Sequence, residues 1–119
     1  KQGEPVKVIL WQHEKKTPEW VNQHYPNHKV VLRVDDMASK YAAVKAGYGL
    51  ARIPCYLPDA LQDEQIIRLD VELRASSWGL WVLSHVDLKQ TMRVKTCKNF
   101  LQDILVDQKE LFEGRLSRY

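Results

Sequence analysis

Two adjacent carboxylates, Asp35 and Asp36, close an apolar run and open a helical one. In a parallel α/β unit such a step lies at the C-terminal end of a strand and the N-terminus of a helix, where ligands collect. The candidate binding step is therefore Asp35, Asp36, Met37 and Ala38. Both aspartates also suit N-capping, in which a carboxylate accepts hydrogen bonds from free backbone N–H groups. One capping while the other faces a crevice satisfies both roles. Gln12 and His13 end an earlier apolar run on the same edge and join the candidates, with Trp11 serving either crevice or core. His13 beside Glu14 has the parts for acid–base work, but no nucleophile accompanies it. Cys55, after Pro54, reads as a semi-buried thiol rather than a redox centre.

Those residues need elements to hold them. Val30, Val31, Leu32 and Val34 form a β-branched strand pattern. Met37, Tyr41 and Val44, with Ala38 and Ala42, recur at helical spacing, and Gly47 stands where a left-handed C-cap is wanted. Leu50 to Ile53 reads as a short strand stopped by Pro54. Val6 to Trp11 is a first strand, and Thr17-Pro18 starts a short helix carrying Trp20 and Val21. We expect an α/β fold with its sheet built around Val30–Val34, flanked by Val6–Trp11 and Leu50–Ile53. Farther on, CYLPDAL forms a short helix and Ile66, Ile67 and Leu69 a brief strand. Residues 71–77 make an extended connection, and Leu80–Leu83 a strand, with Trp78 and Trp81 in core and hinge packing. A final helix, capped by Asp87 and ended by Gly114, carries Val94, Cys97, Phe100, Leu101, Ile104 and Leu105 on one face.

Composition bounds the function classes. The chain has 119 residues, one domain's worth, 45% apolar and with net charge +3. That charge forces no polyanion-binding surface. No apolar run approaches the roughly 18 residues of a membrane span. Cys55 and Cys97 have no metal or redox spacing, and a reducing, cytoplasmic setting is expected. There is no GxGxxG, P-loop, GxSxG or metal-spaced His/Cys cluster. We therefore assign no catalytic residue, no cofactor and no metal ligand, and expect a non-enzyme.

The run VDDMASKYAAVKAGYGLARIP resembles the effector-binding domain of LysR-type transcriptional regulators. The later stretch LWVLSHVDLKQTMRVKTCKNFLQDIL is similar to that family's closing strand and C-terminal helix. The resemblance implies a periplasmic-binding-protein-like regulatory domain of two α/β subdomains with a small-molecule effector in the cleft between them. Residues 1–74 would be the second, inserted subdomain, and residues 75–119 the return hinge, strand and C-terminal helix of the first. The opening segments of the first subdomain, and the winged helix-turn-helix through which DNA is bound, would lie outside this chain, which starts at Lys1. The family often carries Ser or Asn near the 35–36 step. Two carboxylates argue against a purely anionic effector, or require a cation from the other subdomain. A fragment of a transport-type solute-binding protein on the same fold is the alternative, with an α/β enzyme fragment third. The apolar stripe of the final helix needs a covering surface, so the chain is expected to self-associate, most simply as a dimer, unless that helix folds back on the first half.

Overall fold

The computed structural model describes residues 3–74, 76, 79–88 and 90–116. Strand β1 (Val6–Trp11) leads through helix α1 (Glu19–His24) to strand β2 (His28–Val34), and helix α2 (Met37–Lys45) follows. The two strands are parallel, with a register shift between Val8 and Ile9. Leu50 forms an isolated parallel bridge to Val8, on hydrogen bonds of 2.9 Å from Ile9 N–H to the Leu50 carbonyl and from Leu50 N–H to the Lys7 carbonyl.

β1 is thus the central strand, not β2 as expected, and the anticipated strand Leu50–Ile53 contracts to one bridge. The reason lies in the crossovers: α2 carries the chain back past β1, so the segment after it pairs on the free side of β1. Successive β1 side chains alternate between faces. Val8 and Leu10 pack with Val21 of α1 in one cluster; Ile9 packs with Val34 and with Ala43 of α2 in the other. One helix covers each face, which is why Val8, Ile9 and Leu10 are all buried in succession. β2 has only one buried residue, Val34.

Local details follow the chain's chemistry. α2 is capped by Asp36, and after it Gly47 adopts φ +81°, open to a residue without a Cβ. Gly49 is required for a different reason: a Cβ there would sit 2.6 Å from the Lys7 carbonyl oxygen. α1 starts one residue later than expected, because Pro18, at φ −59° and ψ 148°, is its N-cap and Thr17 makes no capping bond. CYLPDAL supplies helix α3 (Tyr56–Leu61) as expected.

The second half departs further. Ile66, Ile67 and Leu69 form no strand; Ile66 is buried alone, and Ile67 and Leu69 are exposed. Leu80–Leu83 forms none either, with Trp81 81% and Leu83 85% exposed, so Trp81 is not core packing. Among the described residues no neighbouring strand pairs with them. Trp78 lies outside the described residues. Asp87 falls in a 3-10 turn (Val86–Leu88), too far upstream to cap helix α4 (Met92–Asp107), whose N-cap is Thr91 without a side-chain bond. Gly114 follows the short helix α5 (Lys109–Phe112) instead of α4. α5 rests on α3, with Tyr56 and Phe112 ring centroids 5.1 Å apart, while α4 has no buried residue.

Candidate functional site

The C-terminal ends of β1 and β2 meet at one edge. Gln12 N–H donates to the Val34 carbonyl at 2.7 Å, which places Gln12 and His13 beside Asp35 and Asp36. Both Asp36 oxygens are engaged by Ser39: Oδ1 accepts from its backbone N–H and Oδ2 from its hydroxyl, each at 2.7 Å. Those bonds hold the Asp36 carboxyl below its ordinary value of 3.8. Asp36 is therefore the cap, and Asp35 is exposed beside it, with its side chain in hydrogen-bonding contact with Asp36. Met37 is half-buried at the start of α2; Ala38 is exposed. His13 is exposed and stacks on Trp11, ring centroids 6.1 Å apart.

The loop after β1 is tied down from two sides. Glu14 Oε2 accepts from Trp11 N–H at 2.9 Å. Arg33 Nη1 donates to the carbonyls of Trp11 and Glu14.

A pocket of ≈ 180 Å³ opens next to this loop, lined by Leu10, Trp11, Glu14, Pro18, Trp20, Lys40 and Arg52. It lies between the end of β1 and the segment after Leu50. That is the topological switch point, since α1 and α2 leave toward opposite faces of the sheet, and it is where open α/β sheets hold ligands. None of Gln12, His13, Asp35, Asp36, Met37 and Ala38 lines it; they lie outside the pocket, where the C-terminal ends of β1 and β2 meet.

Lys40 is the residue that sequence reasoning missed. It is 2% exposed, and its Nζ stands 4.1 Å from the centroid of the Trp11 ring. Burial pushes its ammonium below the usual 10.5; the Glu14 carboxylate offsets part of this and the Arg52 guanidinium adds to it. The available signal was helical spacing: Lys40 lies three residues after Met37 and three before Ala43, on the stripe that faces the sheet. Arg52 sits at the end of the bridged segment and donates from Nη2 to the Arg74 carbonyl at 2.8 Å.

Elsewhere the chemistry is sparse. A hollow along α4, lined by Met92, Arg93, Thr96, Cys97 and Phe100, is the open side of a single helix, far in the chain from the strand ends. Cys55 and Cys97 are free thiols. Among the described residues no group of three or more His, Cys, Asp or Glu side chains could hold a metal ion, and no helix is long and apolar enough to cross a membrane.

Comparison with known proteins adds one finding. A family described as LysR substrate binding domain matches residues 8–105. No curated protein and no solved structure matches the chain.

Proposed function

The chain belongs to the LysR substrate-binding domain family, and from that premise we propose that it is the effector-binding module of a LysR-type transcriptional regulator. Membership carries with it a periplasmic-binding-protein-like α/β fold and a place in regulators rather than enzymes. The observation that carries the proposal is the family match across residues 8–105.

A small molecule binds at the strand-end edge, with Gln12, His13, Asp35, Met37 and Ala38 at the rim and Asp36 holding the helix start. Residues 1–74 act as one subdomain. Residues 75–119 belong to its companion, which closes over the edge in the full-length protein. Closure shifts the balance between two arrangements of the regulator on DNA, since a ligand moves such an equilibrium by its difference in affinity for the two states. DNA is contacted by a winged helix-turn-helix elsewhere in the full-length protein, which works in the cytoplasm as a dimer or larger assembly. The exposed stripe of α4 suits a covering surface supplied by the rest of that protein or by a second copy.

The test is a small-molecule screen for thermal stabilisation of the full-length regulator, followed by DNA footprinting with each compound that binds. The expected result is a compound that alters the footprint and whose affinity changes by roughly tenfold or more when Asp35 is replaced by Asn. A footprint indifferent to every bound compound overturns the proposal.

A further inference from the structure

Two carboxylates near α3 have opposite surroundings. Asp63, just past the helix, is fully engaged. Its Oδ2 accepts from the Tyr41 hydroxyl at 2.6 Å and pairs with Lys45 Nζ at 3.1 Å, and its Oδ1 accepts from Gln65 N–H at 3.0 Å. Those bonds fix the end of α3 to α2, and α2 packs on the sheet. Asp59, inside α3, has a buried Oδ2 with no hydrogen-bond partner. Taking a carboxylate oxygen out of water without supplying a donor is unfavourable. Asp59 follows Cys55 by four residues and Tyr56 by three, so the three share one face of α3. Helix α5 lies across that face. The Tyr56 and Phe112 ring centroids are 5.1 Å apart, and Arg68 Nη1 donates to the Gly114 carbonyl at 3.0 Å. Gly114, at φ +73°, approaches so closely that a Cβ there would stand 3.1 Å from the Cys55 Cβ.

We propose that α5 and Gly114 form a releasable clasp, which holds the C-terminal segment against α3 and lifts off as a unit while α3 stays fixed to α2. At four residues α5 is far shorter than the roughly 12–15 at which an isolated helix becomes marginal, so its helical form depends on its seat and on α4. Its charges pair within the segment: Glu113 meets Arg115 at 2.6 Å and Lys109 at 3.8 Å, and these contacts add nothing to the grip on α3. Against the ring pair, the Arg68 bond and the glycine contact stands the buried Asp59 oxygen, which regains water when α5 lifts. The closed state is therefore held near balance, and anything that prefers one state shifts it by its difference in affinity. Closed, the clasp makes α4 move with the first half of the chain. Open, it frees α4, with its exposed Phe100, Leu101 and Ile104, to reorient onto another surface. The clasp stands independently of the effector-binding reading.

The test uses the two free thiols of the whole chain. Cys55 is half-buried against Gly114, and Cys97, exposed on α4, is the reference within the same molecule. Iodoacetamide labelling of each is followed by mass spectrometry, alongside amide hydrogen exchange. Cys55 is expected to label roughly tenfold or more slowly than Cys97, and the amides of residues 112–115 to exchange together, well before that of Ile9, as in local opening. Phe112→Ala should bring Cys55 labelling close to the rate of Cys97. Asp59→Leu and, as a second variant, Asp59→Ala should slow Cys55 labelling by roughly tenfold, the opposite direction to ordinary loss of packing. Phe100→Ala, on α4, should leave it unchanged. Protection of the Ile9 amide should persist in every variant, which separates opening of the clasp from unfolding. Residues 112–115 exchanging only together with Ile9, or Cys55 labelling as fast as Cys97 in the unaltered chain, overturns the proposal. Labelling unmoved in both Asp59 variants overturns it as well.

Discussion

Residues 6–54 and the helix at 92–107 contain similarly apolar stretches, yet one is buried and the other is not. Ile9 on β1 is fully buried beneath α2; Phe100 on α4 is 63% exposed. The strand finds α1, α2, β2 and Leu50 within fifty residues of chain, as its two clusters show. Among the described residues, the element that packs most against α4 is the short α5. The consequence is visible in the whole molecule. The radius of gyration is 17.8 Å, where a compact chain of this length has roughly 13–14 Å. The accessible surface is 9704 Å², where a folded monomer of this mass exposes roughly 6,700 Å². An amphipathic pattern thus announces that a partner is needed, without supplying it.

The largest test of that contrast is molecular mass. With α4 uncovered, the chain is expected to sediment as a dimer at micromolar concentration, and the double change Phe100→Glu with Ile104→Glu should return it to the monomer mass. A wild-type monomer whose stability is unmoved by the double change would break the link between exposed stripe and association.

Next in size is the difference between two truncations. Ile9→Ala should destabilise the fold by about 2–5 kcal/mol, since a fully buried side chain leaves a cavity. Phe100→Ala in α4 should stay within roughly 0.5 kcal/mol in a monomeric background, as exposed positions do. Denaturant midpoints measure both, and equal losses would mean that α4 is packed in solution.

A third test sharpens the account of the buried half. Gly49→Ala would push a Cβ to 2.6 Å from the Lys7 carbonyl oxygen, against backbone that is held by the Leu50 bridge. A loss of about 1–3 kcal/mol is expected, as for other overpacked sites. Gly79→Ala, where the nearest atom is the Trp81 side chain at 3.5 Å, should cost far less.

The smallest effect concerns the cap. Hydrogen bonds from Ser39 lower the pKa of Asp36 below 3.8, so the folded state favours its charged form. Its contribution is therefore complete above the unfolded-state pKa and is lost as pH falls through the lowered folded-state value. Asp36→Asn caps about as well, so the melting temperature should hold at neutral pH and decline less steeply below about pH 4. An unchanged acid limb would show that Asp36 takes no part in it.

Much of the first half was legible in the residues. β-branched density marked β1 and β2, the Asp35-Asp36 pair and Gly47 marked the two ends of α2, and CYLPDAL marked α3, because propensity, capping and periodicity act within a few residues. The stretches at 34–54 and 80–105 also carried the family resemblance that the match to residues 8–105 bears out. Two things were not legible. Leu80–Leu83 has the composition of a strand but, among the described residues, no strand pairs with it, and a strand exists only through hydrogen bonds to another chain segment. The pocket was hidden for a related reason. A lysine on a helix ordinarily reads as solvated, and an arginine twelve residues later has no local relation to it.

What the sequence determined by itself, then, is the set of local elements in the first half, their caps, and the family. What the tertiary structure decided is strand order, with β1 at the centre, and so which strand ends face each other. By returning the chain along the free side of β1, the α2 crossover sets Arg52 beside Lys40 and Trp11. Charges so arranged depend on pairings between segments some forty residues apart, and no periodicity within either segment contains that information.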